Sequence, residues 1–193
     1  MDDLKTFILD KAMERFDRFG YKKTTMDEIS RDCRISKKTI YEQFQDKEDL
    51  FTCLFVRENR KAREMILARM GKISDPLEKL VQLLKTSIVY FNEDNFLTRL
   101  LKSDDALFSV FLSTKCNVIV EKEVISMIAG IISEGKKQGK LRDVDEEVFA
   151  YAGLKLFQAF SYKRTIEFCQ EKDEQGYYTD ILVDFIVNAI VKK

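Results

Sequence analysis

TMDEISRDCRISKKTIYEQFQDK, residues 25–47, packs three helix starts into 23 positions. Thr25 and Glu28 have the spacing of a capping box, in which a hydroxyl and a carboxylate satisfy backbone N–H groups that the first turn of a helix leaves unpaired. A helix is therefore predicted from Met26, with Met26, Ile29 and Cys33 at i, i+3 and i+7 on one apolar stripe. Arg34-Ile35 leads to Ser36, a second N-cap. Beyond it Ile40 and Phe44 share an inner edge, Lys37, Lys38, Glu42 and Gln43 face outward, and Thr39 and Tyr41 flank them. Asp46 caps a third helix whose first residue is Lys47. Two short helices joined by a tight turn make a helix-turn-helix, a motif whose second helix enters the major groove of DNA.

The positive charge in this stretch is local. The 193-residue chain has a net charge of zero, and residues 1–50 hold 11 Lys and Arg against 12 Asp and Glu, so no general basic field marks this end. Residues 34–41, RISKKTIY, carry three basic groups and no acid, which lets one helix start meet phosphates from an otherwise neutral domain. The alternative for this octet is a solvated face with an ordinary cap. Two further basic clusters, RENRKAR at 57–63 and KKQGKLR at 136–142, read as solvent faces.

Apolar residues make up 45% of the chain and charged ones 34%, with one proline and seven glycines, the balance of a folded, all-α protein. The N-terminus is acidic and then amphipathic, unlike a signal peptide, and no apolar run approaches ~18 residues. A cytoplasmic protein with no membrane partner is expected. Cys33, Cys53, Cys116 and Cys169 are far apart with no CxxC, so reduced, mostly buried thiols are expected in place of a zinc site or disulfides. Zero histidines remove the commonest general base, and no spaced nucleophile, Gly-rich or metal-ligand motif is present. We expect no catalytic residue, no cofactor and no metal.

Working outward, helix 1 is predicted from about Asp3 to Phe19, with Leu4, Phe7/Ile8, Ala12 and Phe16/Phe19 on its buried face and Gly20 as its stop. From Lys47 the pattern Leu50, Phe51, Leu54, Phe55, Ala62, Met65, Ile66 runs to Met70, a helix on the order of 36 Å long at ~1.5 Å per residue. Gly71 ends it, and Asp75-Pro76-Leu77-Glu78 opens the next with Asp at the N-cap and Pro at the first position. Five helices are predicted beyond Pro76. The first is lined by Leu77, Leu80/Val81, Leu84, Ile88 and Phe91. The others are a short one from Phe96 to Lys102, a longer bent one from Asp104 to Gln138, one from Asp145 toward Cys169, and a last one from Tyr177 to Lys192. The domains are accordingly 1–46 (helix-turn-helix), 47–75 (connecting helix 4 and loop) and 76–193 (a larger helical unit), about nine helices in all.

The stretch Phe16 to Leu50, FDRFGYKKTTMDEISRDCRISKKTIYEQFQDKEDL, resembles the TetR family of bacterial transcriptional regulators. It follows the family's phe-x-x-x-gly-tyr, thr-thr, ser-x-x-thr-hydrophobic-tyr-x-x-phe and lys-glu-x-leu. Just under a fifth of the chain carries this likeness; the rest agrees in length and helix order. Departures are Ser30 and Cys33, where the family has small residues, and Arg34, where it has the turn glycine. The resemblance implies phosphate contacts at Thr25, Tyr41 and Lys47, helped by the N–H groups of helix starts. It also implies base or adjacent phosphate contacts from Lys37, Lys38, Thr39 and Gln43 beyond the cap Ser36. For Tyr41, packing on helix 1 is the competing reading.

The resemblance further implies an effector pocket within helices 5 to 8, apolar with a few polar groups. Candidates are Tyr90, Phe91, Phe108, Phe111, Asn117, Gln158 and Tyr162, although phenylalanines at helical spacing, which also occur at 96, 149, 157 and 160, are more often core. The broad apolar stripes of the last two helices imply a homodimer, with Phe149, Leu156, Phe160, Ile181, Phe185 and Ala189 as interface candidates and half-sites about 34–36 Å apart on a palindromic operator. The function expected is a ligand-responsive repressor released from DNA by a small molecule. The alternative is a helical ligand- or partner-binding protein with weakened DNA binding, to which Arg34 and the neutral N-terminal domain point.

Overall fold

The computed structural model describes residues 3–102, 117–161 and 177–192. Within them the chain is all-α, and the helices start where side chains cap them. They are α1 Asp3–Phe19, α2 Met26–Asp32, α3 Lys37–Gln43, α4 Lys47–Met70, α5 Pro76–Asn92, α6 Phe96–Lys102, α7 Asn117–Lys137, α8 Glu146–Ser161 and α9 Tyr177–Ile190. Ser36 Oγ accepts from the Thr39 N–H at 3.0 Å, Asp46 from Asp49 at 2.7 Å, and Asp75 from Glu78 at 2.9 Å. Each bond spans three residues, so each cap is dictated locally.

One core runs from the N-terminal helices into the rest of the molecule. Ile8, Leu9, Ala12 and Phe16 of α1, Met26, Ile29 and Cys33, and Ile40 and Phe44 form one buried cluster with Leu50, Phe51, Leu54 and Phe55 of α4. The same cluster continues along α4 through Ala62 and Ile66 to Leu83 and Phe91 of α5 and Leu154 and Phe157 of α8. α4 therefore belongs at once to the packing of the helix-turn-helix and to that of the larger helical body. A smaller cluster, Ile132, Leu141, Ala150 and Ile190, closes the far end.

Several sequence expectations are corrected by this packing. Leu9 is buried where Phe7 and Phe19 are exposed, and Met65 is also exposed, because α1 and α4 each offer a wider apolar stripe than their neighbours cover. RENRKAR is not a solvent face. Arg57 lies three and seven residues after Leu54 and Leu50 and so points at α1; it is 8% exposed and pairs with Asp10 (2.8 Å) and Glu58 (2.8 Å). KKQGKLR is likewise an intramolecular tie. Lys136 donates to the Val144 carbonyl at 2.7 Å and pairs with Asp143 and Glu146, Lys140 pairs with Asp75, and Arg142 donates to the Ala189 carbonyl at 2.9 Å. The last helix stops at Ile190, not Lys192, because Val191 forms an isolated antiparallel bridge with Leu141; no strand occurs among the described residues. The expected extensions of α7 back to Asp104 and of α8 toward Cys169 fall outside the described residues, as do Cys116 and Cys169. Cys33 and Cys53 are free thiols, and burial pushes Cys33 up to about 11, so it stays protonated.

Candidate functional site

The α2–α3 unit is fixed from inside and capped from outside. Glu28 N–H donates to Thr25 Oγ1 at 3.3 Å, while the Thr25 N–H and hydroxyl both donate to the Glu28 carboxylate at 2.9 Å. These bonds, with the Arg15 guanidinium at 2.9 Å, hold the Glu28 carboxyl below its ordinary value, so the box is intact at neutral pH. Arg15 also pairs with Asp32 at 2.7 Å and thereby straps both ends of α2 to α1.

The turn into α3 keeps the geometry that glycine usually serves. Arg34 has φ 55°, its N–H donates to the Arg31 carbonyl at 3.0 Å, and the Ile35 N–H donates to the Ser30 carbonyl at 3.0 Å. This is the Schellman pair of bonds, with an arginine in the left-handed position. That conformation costs a side-chain-bearing residue roughly 1–2 kcal/mol, against about 0.5–1 kcal/mol for the greater unfolded-state freedom of glycine. Arg34→Gly should therefore stabilise the protein by about 0.5–1 kcal/mol and raise the melting temperature by about 1–4 °C in a thermal melt. Arg34→Ala, which keeps the steric cost, should gain nothing.

α3 buries Ile40 and turns its other side outward. Lys37, Lys38 and Tyr41 are exposed, and Thr39 and Gln43 are half-buried. Lys37 pairs with Asp27 of α2, and Lys38 lies 4.0 Å from Glu42 one turn on. Tyr41 is 50% exposed, so its ring is not packed away on α1. Lys47 occupies a different position from these. Its ammonium donates to the carbonyls of Tyr21 (3.1 Å) and Thr24 (2.9 Å) and sits 4.2 Å from the centre of the Tyr21 ring; burial pushes it below its ordinary value. It thus ties the start of α4 to the loop that leads to Thr25.

A cavity of about 170 Å³ lies between α4, α5, α7, α8 and α9. It reaches α4 and α9, beyond the helices 5 to 8 expected, and α6 contributes no lining among the described residues. Of the pocket candidates, Phe91 and Gln158 line this cavity, beside Phe55, Phe149 and Phe157. Tyr90 is buried but does not line it. Adjacent helix positions point about 100° apart, and with Phe91 turned inward Tyr90 faces the end of α4, its ring 5.7 Å from the Arg69 guanidinium. Phe108, Phe111 and Tyr162 lie outside the described residues, as do the side chains of Asn117 and Phe160.

Beyond Gln158, sequence reasoning missed polar residues of the lining: Asn59, Arg60 and Arg63 of α4 and Glu121 and Glu123 of α7. A signal was present. Phe55, Asn59, Ala62 and Ile66 recur at i, i+4, i+7 and i+11, so polar side chains at Asn59 and Arg63 interrupt an otherwise apolar stripe. Of the interface candidates, Ile181 and Phe185 are exposed and Leu156 and Ala189 half-buried. Phe149 is corrected: it turns into the cavity, and its neighbours Val148 and Tyr151 face out instead.

A capped helix-turn-helix on an all-α body defines a helix-turn-helix regulator. Residues 8–53 match the family model of the bacterial regulatory proteins, tetR family. The chain is 29% identical over 160 residues, 83% of each chain, to the uncharacterised HTH-type transcriptional regulator YhgD of Bacillus subtilis. Its fold is shared by the SmeT–triclosan complex (TM-score 0.72, 18% identity, 98% of this chain and 92% of that one). It is shared too by the transcriptional regulator FadR of Bacillus subtilis with stearoyl-CoA (TM-score 0.66, 18% identity, 94% and 97%). Residues 8–53 are thus a TetR-type helix-turn-helix domain, and the chain as a whole is similar to transcriptional regulators of that family.

Proposed function

We propose that the chain acts as a homodimeric repressor that binds a palindromic operator through α3 and leaves it when a small molecule enters the interior cavity. The observation that carries this reading is the continuity of α4. One helix of 24 residues begins at Lys47, beside the loop that positions Thr25, and lines the cavity from Phe55 to Ile66. A ligand that shifts α4 must also shift the helix-turn-helix, because Leu50, Phe51 and Leu54 of the same helix are packed into its core. Respacing two recognition helices would weaken DNA binding by an ordinary coupling of ~1–3 kcal/mol. No helix among the described residues is long and apolar enough to cross a membrane. We read the chain as non-catalytic and divide it at 1–46, 47–75 and 76–193, with α4 as the connecting element.

On α3, Lys38 and Gln43 are assigned to bases, Thr39 and Tyr41 to the adjacent backbone, and Ser36 to the cap. Lys37 needs to exchange Asp27 for a phosphate or base, and Lys47 both holds the loop and adds charge at the start of α4. The test is fluorescence anisotropy with palindromes from the chain's own upstream region at several salt concentrations. Lys38→Ala or Gln43→Ala should relax preference at particular base pairs at a cost of about 1–3 kcal/mol, whereas Lys47→Ala should weaken all sequences alike. Equal losses on every sequence for all three would remove the base assignments, and binding without salt dependence would favour the reading in which DNA contacts are weakened.

A further inference from the structure

The polar edge of the cavity has an uneven charge balance. Arg60 and Arg63, one turn apart on α4, both grip Glu123 of α7. Arg60 Nη2 lies 2.5 Å from Oε1 and its Nε 3.2 Å from the same oxygen, while Arg63 Nη1 lies 2.8 Å from Oε2. The other carboxylate in the lining, Glu121, is matched by Lys155 at 2.5 Å and by the Gln158 amide at 3.1 Å. Two guanidinium groups thus share one carboxylate, and one positive charge beside the cavity is uncompensated within this cluster. The contacts to Glu123 engage two N–H groups of Arg60 and one of Arg63, whereas each guanidinium carries five in a planar fork suited to carboxylates. Glu123 is held below its ordinary value first by its bond to Arg60, so it remains an anion.

We infer that the cavity takes a small amphipathic anion, an organic acid whose carboxylate joins Arg60 and Arg63 and whose apolar body fills the chamber between Phe91, Leu84, Met127 and Phe157. This rests on the reading that the cavity is the effector site. The size follows from the volume: a dry cavity of ~150 Å³ holds benzene, so this one fits an apolar body of roughly six to ten carbons. A cation has to break one of the two carboxylate pairs to enter. A neutral ligand offers the remaining N–H groups of Arg63, whose side chain is 28% exposed, no charged acceptor. An acid does neither, and by gripping α4 at Arg60 and Arg63 it acts on the helix that carries Lys47.

The full chain, titrated calorimetrically with octanoate, phenylacetate, octanamide and octylammonium, tests this. The acids should bind at least tenfold more tightly than the amide or the ammonium ion. Arg60→Gln/Arg63→Gln, checked for an unchanged melting curve, should bring octanoate to the level of octanamide. Glu123→Gln, which frees both forks, should bind octanoate several-fold more tightly than the parent chain. Equal binding of acid and amide, preference for the ammonium ion, no binding of any probe at millimolar concentration, or weaker acid binding by Glu123→Gln would each overturn the assignment. Operator affinity is measured separately. An acid that binds with the expected preference yet leaves operator affinity unchanged upholds the anion site and defeats ligand-responsive regulation.

Discussion

Phe51→Ala should destabilise the protein by about 3–5 kcal/mol, seen as a fall in the urea midpoint, and should abolish operator binding at temperatures where the parent chain binds. Phe51 is fully buried at the junction of three segments. Its ring meets Phe16 of α1 edge-on at 5.4 Å, Tyr21 of the following loop at 5.0 Å, and Phe55 one turn along α4 at 6.4 Å. Truncation removes the apolar burial and leaves a cavity under the loop from which Lys47 and Thr25 take their positions. Against a total stability of about 5–15 kcal/mol, such a loss removes much of the folded population. Phe51→Leu, which keeps most of the volume, should cost less than about 1.5 kcal/mol and retain DNA binding. An alanine variant that melts like the parent would show that α4 is not the brace of the helix-turn-helix.

Phe185→Glu should weaken DNA binding without unfolding the chain. Phe185 is 60% exposed and Ile181, one turn earlier on α9, is 45% exposed; Val148 and Tyr151 present the same character on α8. A carboxylate at the centre of the proposed dimer surface would be left without a partner, so the variant should sediment as a monomer with an unchanged circular dichroism spectrum. Each half-site is then bound singly, and operator affinity should fall by roughly 10²-fold or more through loss of effective concentration. Phe149→Glu should behave differently, since Phe149 lines the cavity: it should lower stability without producing folded monomers. A stable Phe185→Glu dimer with full operator affinity would place the interface elsewhere.

The contrast between Phe149 and Phe185 shows what was legible in the sequence. Both lie on apolar stripes, and periodicity alone cannot say which stripe a neighbouring helix of the same chain covers. Tyr90 and Phe91 pose the same problem at adjacent positions. Arg60 and Arg63 look like solvated charges beside Lys61, and only their approach to Glu123, some sixty residues away, turns them inward. Lys47 looks like a free helix-start cation, yet its ammonium is held by two carbonyls more than twenty residues earlier in the chain.

By itself the sequence determined the helix starts at Met26, Lys37, Lys47 and Pro76 and the outward face of α3, whereas the left-handed turn at Arg34 was seen only in the structure. Those features depend on interactions between residues three to five apart, whose geometry the backbone period sets without help from the rest of the chain. Tertiary structure alone decided the burial of Arg57, the charged edge of the cavity and the residues of α8 and α9 left uncovered. Each of these depends on which distant helix supplies the opposite surface, and that choice is made by the packing of the whole core.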